Sequence, residues 1–265
     1  MKKTTLHTLH SLKDKGEAFT VLTAYDATFA RLLDQCGVDA ILVGDSLGMV
    51  IQGHNTTVPV AMEDCIYHVE CVARATQSAL IIADMPYMSY ATPEQTFHNA
   101  AALMQAGANM VKVEGGEWLM ESIEGLVQRG IPVCAHLGLT PQSVDALGGF
   151  KVQGRDEEGA TKILNDALAL EKAGASLLVL ECVPAELAQQ ITTALSIPTI
   201  GIGAGSDCDA QVLVLQDMLG LNTQFTPKFV KNFMQQAGGS VQDAIDLYIK
   251  EVKERSFPAA EHTFE

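Results

Sequence analysis

Along this chain, short apolar runs repeatedly stop on a polar or glycine-rich turn and give way to a helical pattern. Ile41-Leu42-Val43-Gly44-Asp45, Leu80-Ile81-Ile82-Ala83-Asp84, Met110-Val111-Lys112-Val113-Glu114 and Leu177-Leu178-Val179-Leu180-Glu181 show this most plainly, each ending on an acid. Apolar runs of four to six residues bounded by turn signals predict strands buried on both faces, as in parallel sheets. Phe19 to Tyr25 opens the series. Pro132 to Leu137 adds a fifth strand with His136 at its polar end, Pro198 to Gly205 a seventh strand and glycine turn, and Gln211 to Leu215 the eighth.

Helix signals fall between the strands. Asp26 caps a helix that runs through Leu33 and stops at Gly37, and Thr92-Pro93 is an N-cap followed by proline at the first helical position of a helix reaching Gly107. Further helices are predicted over Met62 to Thr76, Trp118 to Arg129, Glu158 to Ala173, from Pro184 and Glu186 onward, and over Val241 to Glu254. Eight strand–helix alternations without a linker-like break predict one (β/α)8 TIM barrel, an α/β fold in a single domain over residues 1–265. The segment carrying Leu6, Leu9 and Leu12 is amphipathic, suited to closing the barrel bottom or to an oligomer contact. Two long loops stand out: Ser46 to Pro59, a candidate substrate loop, and Gly138 to Arg155, a candidate lid.

Composition narrows the function classes. With 48% hydrophobic and 18% charged residues, the 265-residue chain can bury a large core. A net charge of -15 excludes the clustered cations that nucleic-acid binders need, so a small-molecule partner is expected. No apolar run approaches the roughly 20 residues that span a bilayer. Met1-Lys2-Lys3-Thr4-Thr5 leads into polar residues and not a signal peptide, so a soluble cytoplasmic protein is expected. Cys36, Cys65, Cys71, Cys134, Cys182 and Cys208 lack metal-ligand spacing and read as reduced packing residues.

Charges are costly inside buried strands, whereas parallel α/β folds keep active sites at the strands' C-terminal ends. Asp45, Asp84 and Glu114 end neighbouring strands and can converge on one hard cation such as magnesium, with positions left for water and substrate. Any one of them alone reads first as a cap of the helix that follows, and three on neighbouring strands turn the balance to a shared site. Lys112 shares a strand face with Glu114. It could pair with a bound acid's carboxylate, form a Schiff base, or neutralise the acids, and surrounding carboxylates favour the charged amine. Glu181, among Val179, Leu180, Cys182 and Val183, suits proton abstraction, with helix capping as its bland alternative. His136 is a further pocket candidate. The run Gly201-Ile202-Gly203-Ala204-Gly205 has Ser206 where a dinucleotide fingerprint wants glycine, so it reads as a close approach or a tight turn.

Taken together with Thr23-Ala24-Tyr25-Asp26, Gly44-Asp45-Ser46-Leu47-Gly48-Met49, Gln52-Gly53-His54, His136-Leu137-Gly138-Leu139-Thr140-Pro141-Gln142 and Glu181-Cys182-Val183-Pro184, these motifs resemble the ketopantoate hydroxymethyltransferase family. The resemblance implies a barrel of the phosphoenolpyruvate/pyruvate superfamily. It implies Mg2+ on Asp45, Asp84 and Glu114, keto-acid contacts from Asp45, Ser46, Asp84 and Lys112, and Glu181 as general base. The implied reaction carries a hydroxymethyl group from 5,10-methylenetetrahydrofolate to 3-methyl-2-oxobutanoate, giving 2-dehydropantoate for pantothenate and coenzyme A synthesis through a metal-stabilised enolate. The implied assembly is a homodecamer of two pentameric rings. Departures lie late: Ala210 and Gln216 stand near positions where the family often has glycine and histidine, and Asn222-Thr223-Gln224 replaces a glycine-richer stretch. A lyase or mutase on another 2-oxo acid, and a silent scaffold barrel, are the rival readings; the scaffold should have lost a strand-end acid, and none is missing.

Overall fold

The computed structural model describes residues 3–222 and 225–265. Met1, Lys2, Thr223 and Gln224, which enter the leader and departure readings above, lie outside the described residues. Eight parallel strands close into a barrel in chain order. They are β1 (Phe19–Thr23), β2 (Ala40–Val43), β3 (Leu80–Asp84), β4 (Met110–Glu114), β5 (Val133–Gly138), β6 (Leu177–Glu181), β7 (Thr199–Ile202) and β8 (Ala210–Leu213). Closure comes from β8 pairing with β1, Ala210 beside Phe19 through Leu213 beside Leu22.

Side-chain alternation explains why these runs make a barrel. Phe19, Val21, Leu42, Ile82, Met110, Val179, Ile200 and Val212 point inward and pack as the interior core. Their neighbours Leu22, Ile41, Val43, Ile81, Val111, Val113, Leu178 and Leu180 point outward and pack with helix residues such as Leu33, Val69, Leu103, Ile123 and Leu170. A strand apolar on both faces is what this double burial demands. Lys112 and Glu114 follow Met110 at period two, which turns both into the barrel and makes Lys112 part of an interior ring with Val21, Leu42, Ile82 and Cys134.

The amphipathic leader is a helix, Leu6–Asp14, and its Leu9 is fully buried in the interior cluster with Leu6 and Leu12 against it. Of the two roles read from its pattern, the structure shows the barrel-bottom one. At the other end of the chain the helix Val241–Lys253 lies beside β1 and buries Tyr248, whose hydroxyl reaches the carbonyls of Val21 at 2.9 Å and Gln211 at 2.8 Å. None of the helices among the described residues is long and apolar enough to cross a membrane.

Several boundaries move. Strand β8 starts at Ala210 and ends at Leu213, not Gln211 to Leu215, because Leu215 gives its backbone N–H to Thr23 Oγ1 at 3.0 Å and begins a helical turn, Leu215–Met218. Strand β1 likewise stops at Thr23. The first long loop contains the turn Leu47–Val50, and the second contains Pro141–Ser143 and Val144–Leu147. The Met62 helix ends at Ala73, three residues early, and Trp118 lies in a short tight turn, Glu117–Leu119, ahead of the helix Met120–Gln128. The Gly201 to Gly205 run is a tight turn that also lets aromatic side chains close in: at Gly203, φ +61°, a Cβ would stand 3.0 Å from both Phe229 and Phe264.

Candidate active site

The C-terminal mouth of the barrel opens on a cavity of about 950 Å3. Asp84 and Glu114 are the last residues of β3 and β4, and Asp45 follows β2 by two. All three are buried, and each offers an oxygen within 4.8 Å of the others. His136 on β5 and Glu181, last residue of β6, continue the same arc. The residues singled out from sequence are thus brought together.

Lys112 holds the cluster from below. Its Nζ donates to Asp84 Oδ1 and Oδ2 at 2.7 and 2.8 Å and to Glu114 Oε1 at 3.2 Å. Three donors on three oxygens leave no free N–H. Burial opposes the ammonium charge, but Asp84, Glu114 and Asp45 outweigh it and hold the Lys112 pKa well above its ordinary value. An amine so held is a neutralising cation, not a nucleophile, which removes the Schiff-base alternative.

The acids are not equivalent. Burial, then repulsion from Asp84 and Glu114, raises the Asp45 pKa well above the carboxylate range. Burial pushes Glu114 up too, yet Lys112 and His136 win and hold it at about 2. With all three ionised, the carboxylates outnumber the Lys112 ammonium and a protonated His136 beside Glu114, so the buried space keeps an excess of negative charge. A divalent cation cancels that excess, and hard oxygen donors on separate strands are the ligands magnesium takes. The donor set therefore fits such an ion.

Glu181 is less isolated than its apolar sequence neighbours imply. His136 stands between it and the acids, with Nδ1 3.1 Å from Glu114 Oε1 and Nε2 3.4 Å from Glu181 Oε2. That second contact is too poorly aligned to count as a hydrogen bond, so the buried Nε2 has no partner among the described residues. Burial and Lys112 lower the His136 pKa, but Glu114 and Glu181 raise it to about 9. Directly after Glu181, Cys182 takes φ +46°, a conformation costly for a residue with a Cβ. Its backbone is pinned by Cys182 N–H to Ile202 O and Gln153 N–H to Cys182 O, both 2.9 Å.

Three contributing residues had no role assigned from sequence. Gln142 donates its backbone N–H to Glu114 Oε2 at 3.1 Å and its Nε2 to Asp45 Oδ2 at 2.9 Å and Met85 O at 3.0 Å. Its Oε1 accepts from the Tyr90 hydroxyl at 2.5 Å. Tyr25 shares a 2.8 Å hydrogen bond with Ser46 Oγ and so fixes the turn after Asp45. Gly138 lets the Gln142 loop begin so near β6: at φ +92°, any Cβ there would lie 2.2 Å from Glu181 O, the acceptor of the Leu139 N–H. Gln142 and Tyr25 both fall within the motifs that carried the resemblance, but no periodicity marks them as parts of a site.

Comparison with known proteins agrees with this geometry. The ketopantoate hydroxymethyltransferase family model matches residues 3–260. The 3-methyl-2-oxobutanoate hydroxymethyltransferase of Shewanella piezotolerans is 61% identical over 264 residues, covering 100% of either chain. That of Idiomarina loihiensis is 61% identical over 262 residues, covering 99% of this chain and 98% of its own. In fold the chain is similar to 2,3-dimethylmalate lyase, a PEP mutase/isocitrate lyase superfamily member, with a TM-score of 0.59, 16% identity and 100% of each chain covered.

Proposed function

The chain belongs to the ketopantoate hydroxymethyltransferase family, and from that premise we propose that it moves a one-carbon unit from 5,10-methylenetetrahydrofolate to 3-methyl-2-oxobutanoate, with Mg2+ on Asp45, Asp84 and Glu114. The observation that carries the reading is the pairing, in one cavity, of three buried acids with a carboxylate, Glu181, further round the rim. One set of groups binds the keto acid; the other takes its proton.

When bound, the cation supplies Lewis acidity at the keto oxygen, where negative charge collects as the neighbouring carbon loses its proton. The chain's own residues do the rest. The Asp45-Ser46 turn, with Ser46 oriented by Tyr25, and the Lys112 charge on the cavity floor orient the keto acid. Glu181 receives the proton from the branched carbon. His136 stands 3.4 Å away, between that carboxylate and the acids. The carbon then bonds to the donor's one-carbon unit, and water completes the hydroxymethyl group as tetrahydrofolate leaves.

Exposed Tyr67, Tyr87, Met88 and Trp118 are apolar surface available to a homo-oligomer, for which the resemblance implies a decamer working in the cytoplasm. The test of the reaction is deuterium exchange at the branched carbon of 3-methyl-2-oxobutanoate. Mg2+-dependent exchange is expected for the wild type and is lost in Glu181→Gln, while calorimetry finds Mg2+ still bound. Full-rate exchange in that variant removes Glu181 as the base.

A further inference from the structure

The keto-acid chemistry occupies the rim from β2 to β6: Asp45, Asp84, Glu114, His136 and Glu181. The cavity is larger than that chemistry needs. Pockets of about 300–1,000 Å3 take drug-sized molecules, and at about 950 Å3 this one holds far more than a five-carbon keto acid. The unused arc is β7, β8 and β1.

On that arc the turn after β8 presents Gln216 and Asp217 to the cavity. The backbone there is fixed to β1 through the Leu215 N–H and Thr23 Oγ1. Gln216 Oε1 is buried and has no partner among the described residues. Among those residues, the Asp217 carboxylate accepts only a long 3.4 Å hydrogen bond from Asn222 Nδ2, and burial raises its pKa. Two adjacent side chains of the cavity wall are therefore short of donors, with Gln216 Oε1 sealed behind the surface and Asp217 lining the cavity, and a buried acceptor left without a donor is costly. A ligand that satisfies both oxygens of the Asp217 carboxylate must bring neighbouring N–H groups on a flat edge. Phe150 and Phe229 line the same cavity and add aromatic surface to it.

We propose that Asp217 anchors the subsite for the pterin ring of the one-carbon donor. The Asp217 carboxylate accepts from the ring N3–H and the 2-amino group as a two-pronged, charge-assisted pair. This inference rests on the folate-dependent reaction proposed above. It makes Asp217 a specificity residue for the donor alone, acting on the side of the mouth away from the acids of β3 and β4.

The experiment compares methylenetetrahydrofolate with an analogue whose 2-amino group is replaced by methyl, in steady-state assays of the full-length enzyme with Mg2+. For the wild type the analogue's KM is expected to be higher by about tenfold or more, the effect of one lost hydrogen bond to a charged group. Asp217→Asn is expected to raise KM for the natural donor by a similar factor, to shrink the discrimination between donors to about threefold, and to leave the keto-acid KM within about twofold. Equal use of both donors by the wild type overturns the subsite without any variant. So does undiminished discrimination in Asp217→Asn, or an equal rise in both substrates' KM. Failure of the natural donor to support turnover while keto-acid exchange proceeds sinks the folate reading itself, and is a separate result.

Discussion

Gln142 Nε2 donates to Asp45 Oδ2 at 2.9 Å, joining residues 97 positions apart in the chain across the barrel mouth. The same side chain's backbone N–H holds Glu114, so one residue of the loop after β5 orients two of the three acids. Removing a group that orients a metal ligand commonly costs about 10- to 100-fold in affinity. Gln142→Ala should weaken Mg2+ binding by that factor in calorimetry, with the thermal midpoint in excess EDTA falling only a few degrees. Unchanged affinity would remove Gln142 from the ion's support.

Proton and cation compete for the cluster. Burial and the neighbouring acids raise Asp45, and its Glu114 and Glu181 contacts lift His136 to about 9 against burial and Lys112. Both groups thus favour protonation in the ion-free protein, whereas the cation needs Asp45 ionised. Mg2+ affinity should rise with pH, fall as pH drops through the raised Asp45 range, and be accompanied by proton release. Calorimetry in two buffers of different ionisation heat reads the released proton directly. Proton uptake would contradict the assignment of Asp45.

Lys112→Met should expose how much the acids repel one another. Lys112 and Asp84 are both nearly inaccessible to solvent, and breaking a buried pair by removing one partner costs about 3–5 kcal/mol. Urea denaturation in EDTA should show that loss, and saturating Mg2+ should stabilise the variant more than the wild type, since it then supplies the positive charge that Asp84 has lost. Equal stabilisation of the two proteins would argue against an ion at this cluster.

Leu9→Ala tests the barrel floor. The side chain is fully buried among the lower strand residues, and a Leu→Ala change at such a site costs about 2–5 kcal/mol. The loss should appear in the denaturation midpoint, with kcat unaltered at temperatures where the variant remains folded.

Much of the fold was legible because the strands are apolar on two faces and several helices carry their own start or stop signals. Asp26, Thr92 and Gly37 cap helices where their chemistry says they should. The three acids were legible for a related reason: a charge at the end of an apolar run has few structural uses. Residues that act across the mouth were not. Gln142 sits in a loop with no period, and its partners lie on other strands. Glu181's apolar neighbours in sequence concealed His136, which reaches it from β5. Strand ends moved where a tertiary hydrogen bond, as from Leu215 to Thr23, won over local β propensity.

With Leu9 stoppering the barrel from below, both reactants of the proposed reaction would share the mouth as their doorway. The keto acid would lie deepest, against the Lys112 floor, and a pterin lodged beside Asp217 would stand in its path. Traffic through such a dead-end chamber must queue: keto acid in first and its product out last, so an excess of donor should slow the enzyme by shutting the corridor before the chamber is filled.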